Sequence, residues 1–174
     1  MKLIVTGHAA AGKDTLCEIL EENTGLKFGS SSLIACEEVV LPVLGPKYGY
    51  TTVDECFNDR NNHRSEWYDL ISEYNREDPT RLGKHILIQL GLDVYCGLRN
   101  IREFQALVDN GFVQYTIWVD RSKVNPPEPN TSITVTSDDC DYVLDNNGAK
   151  LDLLLEVGKL IQWINDNELI KAGF

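Results

Sequence analysis

Gly7-His8-Ala9-Ala10-Ala11-Gly12-Lys13-Asp14-Thr15 follows directly on the apolar run Leu3-Ile4-Val5 and opens a stretch with helical periodicity. A strand, a glycine-bounded loop and a helix in that order are the setting of a phosphate-binding loop. The glycines let the backbone curl so that successive amide N–H groups point inward, and the helix N-terminus adds positive potential at the same place. Lys13 can then reach the outer phosphates of a nucleoside triphosphate, so residues Gly7, His8, Ala9, Ala10, Ala11, Gly12, Lys13, Asp14 and Thr15 read as an ATP site. The hydroxyl for magnesium comes one place later than usual, at Thr15, because Asp14 follows the lysine. Asp14 has two readings: a carboxylate facing the triphosphate across a magnesium ion, or an acidic residue favoured by the first turn of a helix. His8 reads as a loop filler whose backbone matters more than its ring.

Short β-type runs at residues 2–6, 26–28, 92–96, 114–119 and 142–144 alternate with amphipathic stretches. That alternation predicts a five-stranded parallel sheet with helices on both faces, a three-layer α/β sandwich of the P-loop NTPase kind. The first helix is predicted over 12–22 with Leu16, Ile19 and Leu20 buried, and the last over 151–165 with Leu154, Val157, Ile161 and Ile164 at core spacing. Asn100 with Glu103 reads as a capping box for a helix running to Val108. Asp78-Pro79 reads as an N-cap with proline at the first helical position, starting a helix to Leu90. With 174 residues, 43% of them hydrophobic, the chain suits one core. It is therefore read as a single domain with a helical insertion over 28–91, of the kind that builds a substrate site, and a short proline-bearing lid over 121–138.

A formal net charge of -11 repels a nucleic-acid backbone and an anionic membrane over most of the surface. The expected partners are small nucleotides bound in a local basic pocket, with neither nucleic acid nor membrane, and a homodimer is compatible with the sequence. The first strand starts at the N-terminus and no run approaches a membrane span, so a cytoplasmic protein is expected. The five cysteines are scattered without paired spacing and read as reduced packing residues rather than zinc ligands.

The cations of that pocket can be named. Arg60, Arg64, Trp67, Ile71 and Tyr74 fall on one stripe if their helix extends back to residue 60, which aligns two guanidinium groups for a phosphate; the alternative is pairing with Glu66 or Asp69. Arg99 and Arg121 each follow a strand and project from the carboxyl edge of the sheet, where they would stabilise a transferring phosphoryl group or form structural ion pairs. The turn Asp145-Asn146-Asn147-Gly148 either lines an adenine pocket through Asn146 and Gly148 or is an ordinary Asn-Gly turn.

Together, the segments GHAAAGKDT, YCGLRNIREFQAL, IWVDRS and DYVLDNNG resemble the nucleoside monophosphate kinase group of P-loop kinases, above all the deoxynucleoside monophosphate kinases of tailed bacteriophages. The resemblance implies that Lys13 and Thr15 hold the phosphates of ATP and magnesium, and that Arg99 and Gln105, in a shortened Gly97-Leu98-Arg99 version of the group's acceptor segment, hold the acceptor monophosphate. It implies that Arg121 faces the transferring phosphate and that Ser31, Arg60, Arg64 and Trp67 belong to the acceptor region. The sequence departs from the group in two places. Cys96-Gly97 stands where many relatives carry a magnesium-orienting aspartate, which leaves Asp14 or Asp93, and the lid after Arg121 holds Lys123 but no further arginine. The expected activity is magnesium-dependent transfer of the ATP γ-phosphate to a (deoxy)nucleoside monophosphate, in a host cytoplasm if the source is viral. The rival readings are a P-loop kinase for another acceptor, such as dephospho-coenzyme A or a modified pyrimidine, and a nucleotide-binding protein without turnover.

Overall fold

The computed structural model describes residues 1–126 and 133–171. Its five strands, Leu3–Thr6 (β1), Phe28–Ser30 (β2), Val94–Cys96 (β3), Tyr115–Asp120 (β4) and Tyr142–Asp145 (β5), are all parallel in the order β2-β3-β1-β4-β5. Each predicted strand exists, displaced by a residue or two. The second begins at Phe28 because the carbonyl of Lys27 is already taken by the amides of Asp93 and Val94.

The strands alternate their side chains between two cores, as the pleat requires. Leu3 and Val5 of β1, with Ile117 and Val119 of β4, face Lys13–Thr24 (α1) and Lys150–Lys171 (α8). Ile4, Tyr95 and Trp118 face the other way, onto Leu82, Ile86 and Leu87 and onto Phe104 and Leu107 of Ile101–Asp109 (α7). The predicted three layers follow. In α1, Leu16, Ile19 and Leu20 are buried, joined by Cys17. In α8 the buried stripe is Leu153, Val157, Leu160 and Ile164, whereas Leu154 is 43% exposed, contrary to the expectation. One residue is a rotation of about 100° on a helix, enough to carry Leu154 off the inner face.

Between β2 and β3 the chain is mainly helical and builds a small core of its own from Cys36, Val39, Val40, Leu44, Cys56 and Trp67. Ser31–Ala35 (α2) passes through a π-helical turn at Cys36–Val40 into Leu41–Tyr48 (α3). A capping box between Thr52 and Glu55 starts Val53–Asn58 (α4), and a 3₁₀ turn at Arg60–His63 leads into Arg64–Tyr74 (α5). That turn corrects the expected continuous helix: Arg60 lies before α5. His63 holds the turn, with its ring stacked 4.0 Å from that of Tyr48 and its two nitrogens each 3.2 Å from a carboxylate, of Asp59 and Glu66.

Asp78 does not cap a helix at Pro79. Its Oδ1 accepts from the amide and hydroxyl of Thr80, closing a local turn, and helix begins only at Arg81–Lys84 (α6), continuing as a π-helical turn at His85–Gln89. Four of the five cysteines are buried and all are free thiols. No helix among the described residues is long and apolar enough to cross a membrane.

Candidate active site

The loop between β1 and α1 curls by two left-handed residues, Ala10 at φ 55° and Gly12 at φ 88°. Asn146, buried in the turn after β5, donates from Nδ2 to the carbonyl of Ala11 at 2.7 Å and so bolts that turn to the loop. A side chain at position 12 would put its Cβ 2.4 Å from the same Nδ2. Gly12→Ala is therefore expected to cost about 2–3 kcal/mol, the left-handed penalty plus the displaced hydrogen bond, and to weaken ATP binding in step. Urea denaturation checks it, and an unchanged midpoint at unchanged slope would show that the loop yields without cost.

Lys13 Nζ lies across the mouth of the loop, donating to the carbonyls of Gly7 at 2.9 Å and His8 at 2.7 Å. An ammonium held by two neutral carbonyls is ready to exchange them for phosphate oxygens. The ring of His8 stands edge-on to Trp118 at 5.3 Å, so it packs as well as fills. Asp14 turns toward the end of β3, where the Cys96 thiol donates to its Oδ1 at 3.5 Å. Asp93 lies at the opposite end of β3 and is occupied by Lys2 Nζ and the Lys27 amide. Of the two carboxylates proposed to replace the strand-end aspartate, Asp14 is the one beside the phosphate loop. Thr15, the expected hydroxyl for magnesium, follows it in the first turn of α1 and does not line the cavity described next.

From the loop an open cavity of about 840 Å³ runs past the end of the sheet to the helical region. Lys13 and Asp14 line one end; Ser31, Arg60, Arg64, Trp67 and Arg99 line its walls. These expected residues thus meet from four separate stretches of chain. Arg60 is steadied by its Nη1 hydrogen bond to the Phe57 carbonyl at 2.8 Å and by the Phe57 ring 3.9 Å beneath its guanidinium. Arg64 makes no ion pair with Glu66 or Asp69, and Glu66 is engaged by Lys47, Tyr48 and His63, which hold its carboxyl down at about 2. The backbone of Arg99 accepts from the amides of Thr134 and Val135, so the chain returning from the loop after β4 is pinned beside it.

Three expectations are corrected. Gln105 is exposed and does not line the cavity. On α7 it is Glu103 that lines the cavity, while Gln105, two residues on, is rotated to the outer face. Arg121 does not line the cavity either: its Nη1 donates to the Asn146 carbonyl at 2.9 Å, which ties it to the turn that holds the P-loop. Asn100 caps α7, accepting from the amides of Arg102 and Glu103, but Glu103 does not reciprocate as a capping box would. Burial pushes its carboxyl up, and the Asn75 amide pulls against that. Gly148 lies at the start of α8, where a Cβ would stand 2.5 Å from Asp152 Oδ2, so its place reflects close packing of the turn. Of the lid over 121–138, residues 127–132 lie outside those described. Its first part is tied to the P-loop by Asn125 Nδ2 donating to the Ala10 carbonyl at 2.9 Å, and Ile133 and Val135 of its last part are buried.

Glu103 is one of the cavity residues that the sequence did not reveal, with Asn61, Tyr68 and Tyr95. Its spacing from Asn100 fits a capping box, which hid it.

No family model matches the sequence, and neither does any curated protein. Among solved structures, the chain is similar to the dephospho-CoA kinase from Campylobacter jejuni, with 15% identity, a TM-score of 0.54 and 97% and 100% of the two chains covered. It is also similar to the shikimate kinase from Aquifex aeolicus, with 11% identity, a TM-score of 0.50 and 97% and 99% covered. The chain therefore has the fold of the P-loop kinases.

Proposed function

We propose that this protein transfers the γ-phosphate of ATP to a nucleoside monophosphate, with a deoxynucleotide as the acceptor class, and does so in the cytoplasm. The observation that carries the reading is the continuous cavity with Lys13 at one end and Arg60, Arg64 and Arg99 on its walls. A phosphate-binding loop supplies the donor end, and guanidinium groups supply a complementary site for the acceptor's own phosphate.

In this reading an oxygen of the acceptor phosphate, ionised at neutral pH, forms a bond to the γ-phosphorus while the bond to the β–γ bridging oxygen breaks, releasing ADP. No general base is needed. The chain's contribution is positioning and neutralisation. Lys13 and the loop amides hold the β- and γ-phosphates, and Arg99 holds the acceptor phosphate in line. Asn146, through Ala11, and Arg121, through Asn146, keep the loop in shape. Thr15 and Asp14 are the residues to hold magnesium, which when bound neutralises charge on the β- and γ-oxygens.

The deoxynucleotide class and a bacteriophage source are supported by the resemblance of the four sequence segments. The similarity to a dephospho-CoA kinase supports a second acceptor, dephospho-coenzyme A. Incubation with magnesium, ATP and each acceptor separately, following ADP, is the test. Turnover with one or more monophosphates is expected. Turnover with dephospho-coenzyme A alone would transfer the reading to that acceptor, and ATP binding without transfer to any acceptor would identify a nucleotide sensor.

A further inference from the structure

The helix α5 presents a row of side chains to the cavity. Arg64, Tyr68 and Ser72 follow one another at intervals of four residues and all line it, with Trp67 and Ile71 beside them. Four residues advance a helix by about 6 Å and turn it by about 40°, so each member of the row is the neighbour of the next. Trp67 is buried, with its ring 6.3 Å from that of Phe57, and forms the fixed part of this wall. Arg64 and Tyr68 are exposed, and neither makes a hydrogen bond, an ion pair or a ring contact among the described residues.

That sets Tyr68 apart from the other tyrosines. Tyr48, Tyr50, Tyr115 and Tyr142 have aromatic partners, Tyr74 lies under the guanidinium of Arg81, and Tyr95 is buried in the core. Tyr68, 61% exposed, keeps its ring bare on the cavity wall. A guanidinium at one position and a bare aromatic ring one turn on match a molecule with a phosphate at one end and a flat ring at the other. The guanidinium takes two phosphate oxygens in parallel, and the tyrosine ring takes the face of a base. The turn of helix between them is room for a sugar.

We propose that Tyr68 is a stacking platform for the base of the acceptor, whose phosphate Arg64 grips, and that the site selects for a flat heteroaromatic ring rather than for one particular base. The inference rests on the nucleoside monophosphate reading above. Stacking is tolerant of base identity because it uses the π-face and not the hydrogen-bonding edge. Ser72, half-buried one turn beyond Tyr68, brings a hydroxyl that both donates and accepts, so it does not choose between bases either.

The experiment measures by titration calorimetry the dissociation constants of dAMP, dGMP, dCMP and dTMP, and of 2-deoxyribose 5-phosphate, which has the sugar and the phosphate but no base. The proteins are the wild type, Tyr68→Ala, Tyr68→Phe and Arg64→Ala, with ATP affinity as the check that each variant folds. Tyr68→Ala should weaken every monophosphate that the wild type binds by about 5- to 100-fold, the worth of one base stacked on an aromatic ring, and leave the sugar phosphate unchanged. Tyr68→Phe keeps the ring and should restore the monophosphates, whereas Arg64→Ala should weaken them and the sugar phosphate alike. Monophosphates held as tightly by Tyr68→Ala as by the wild type, or no better by Tyr68→Phe than by Tyr68→Ala, overturn the platform and leave the kinase reading to stand on its turnover. A wild type that binds ATP and none of the monophosphates overturns both.

Discussion

Lys13→Ala is expected to lower kcat/KM for ATP about 10²- to 10⁴-fold, because two charge-assisted hydrogen bonds to the β- and γ-phosphates, each worth about 1.5–3 kcal/mol, are lost at once. The fold should survive. Lys13 donates to the Gly7 and His8 carbonyls, both in the P-loop, and the curl of the loop depends on Gly12 and on the Asn146 bolt. A thermal midpoint close to wild type alongside the loss of turnover would separate the two effects. A well-folded alanine variant with unchanged turnover would remove Lys13 from the chemistry.

Arg99 carries the second large effect, and here the substitution series distinguishes charge from shape. Arg99→Ala removes the planar fork that grips the acceptor phosphate and should lower kcat/KM for the acceptor by about 10²- to 10³-fold. Arg99→Lys keeps a positive charge but cannot bind two oxygens in parallel, so it should recover part of that loss, mostly as a better KM. The backbone of Arg99 anchors Thr134 and Val135 through its carbonyl, which neither variant changes, so the chain leading to β5 stays in place. KM for ATP should move little in either case. If instead both variants weaken ATP and the acceptor equally, Arg99 shapes the cavity without holding the acceptor phosphate.

These expectations depend on residues that differ in how easily the sequence reveals them. The P-loop is legible because its chemistry is local. Gly7, Gly12 and Lys13 must be close in the chain to curl a backbone around a phosphate, and the strand before and helix after are needed for the same geometry. The parallel sheet is legible for a related reason, since short apolar runs separated by helical stretches leave few ways to bury both faces. The two core stripes on α1 and α8 were readable in outline, but Leu153 in place of Leu154 shows how far one residue rotates a helical face.

Long-range partnerships were hidden. Arg121 follows its strand as expected and projects from the same sheet edge as Arg99, but its guanidinium is taken by the carbonyl of Asn146, and no local pattern announces a bond across 25 residues of chain. Asp14 was ambiguous between a helix-end charge and a metal ligand until the fold brought the Cys96 thiol to its carboxylate and sent Asp93 to the far end of β3. Arg60 and Arg64 were read as one stripe, yet they reach the same cavity from a 3₁₀ turn and a helix. The spacing of Glu103 from Asn100 fits a helix cap, and only the fold shows that Glu103 lines the cavity instead.

The sequence by itself determined the strand, glycine-bounded loop and helix that open the chain and what kind of sheet they join, since both follow from short-range backbone geometry and the period of hydrophobic residues. The tertiary structure alone decided which arginines line the cavity, which carboxylate stands by the P-loop and which side chains complete the cavity wall. Those are choices among chemically equivalent residues, made by which segments the buried cores bring together, and the burial energy that makes them is spread over the whole chain.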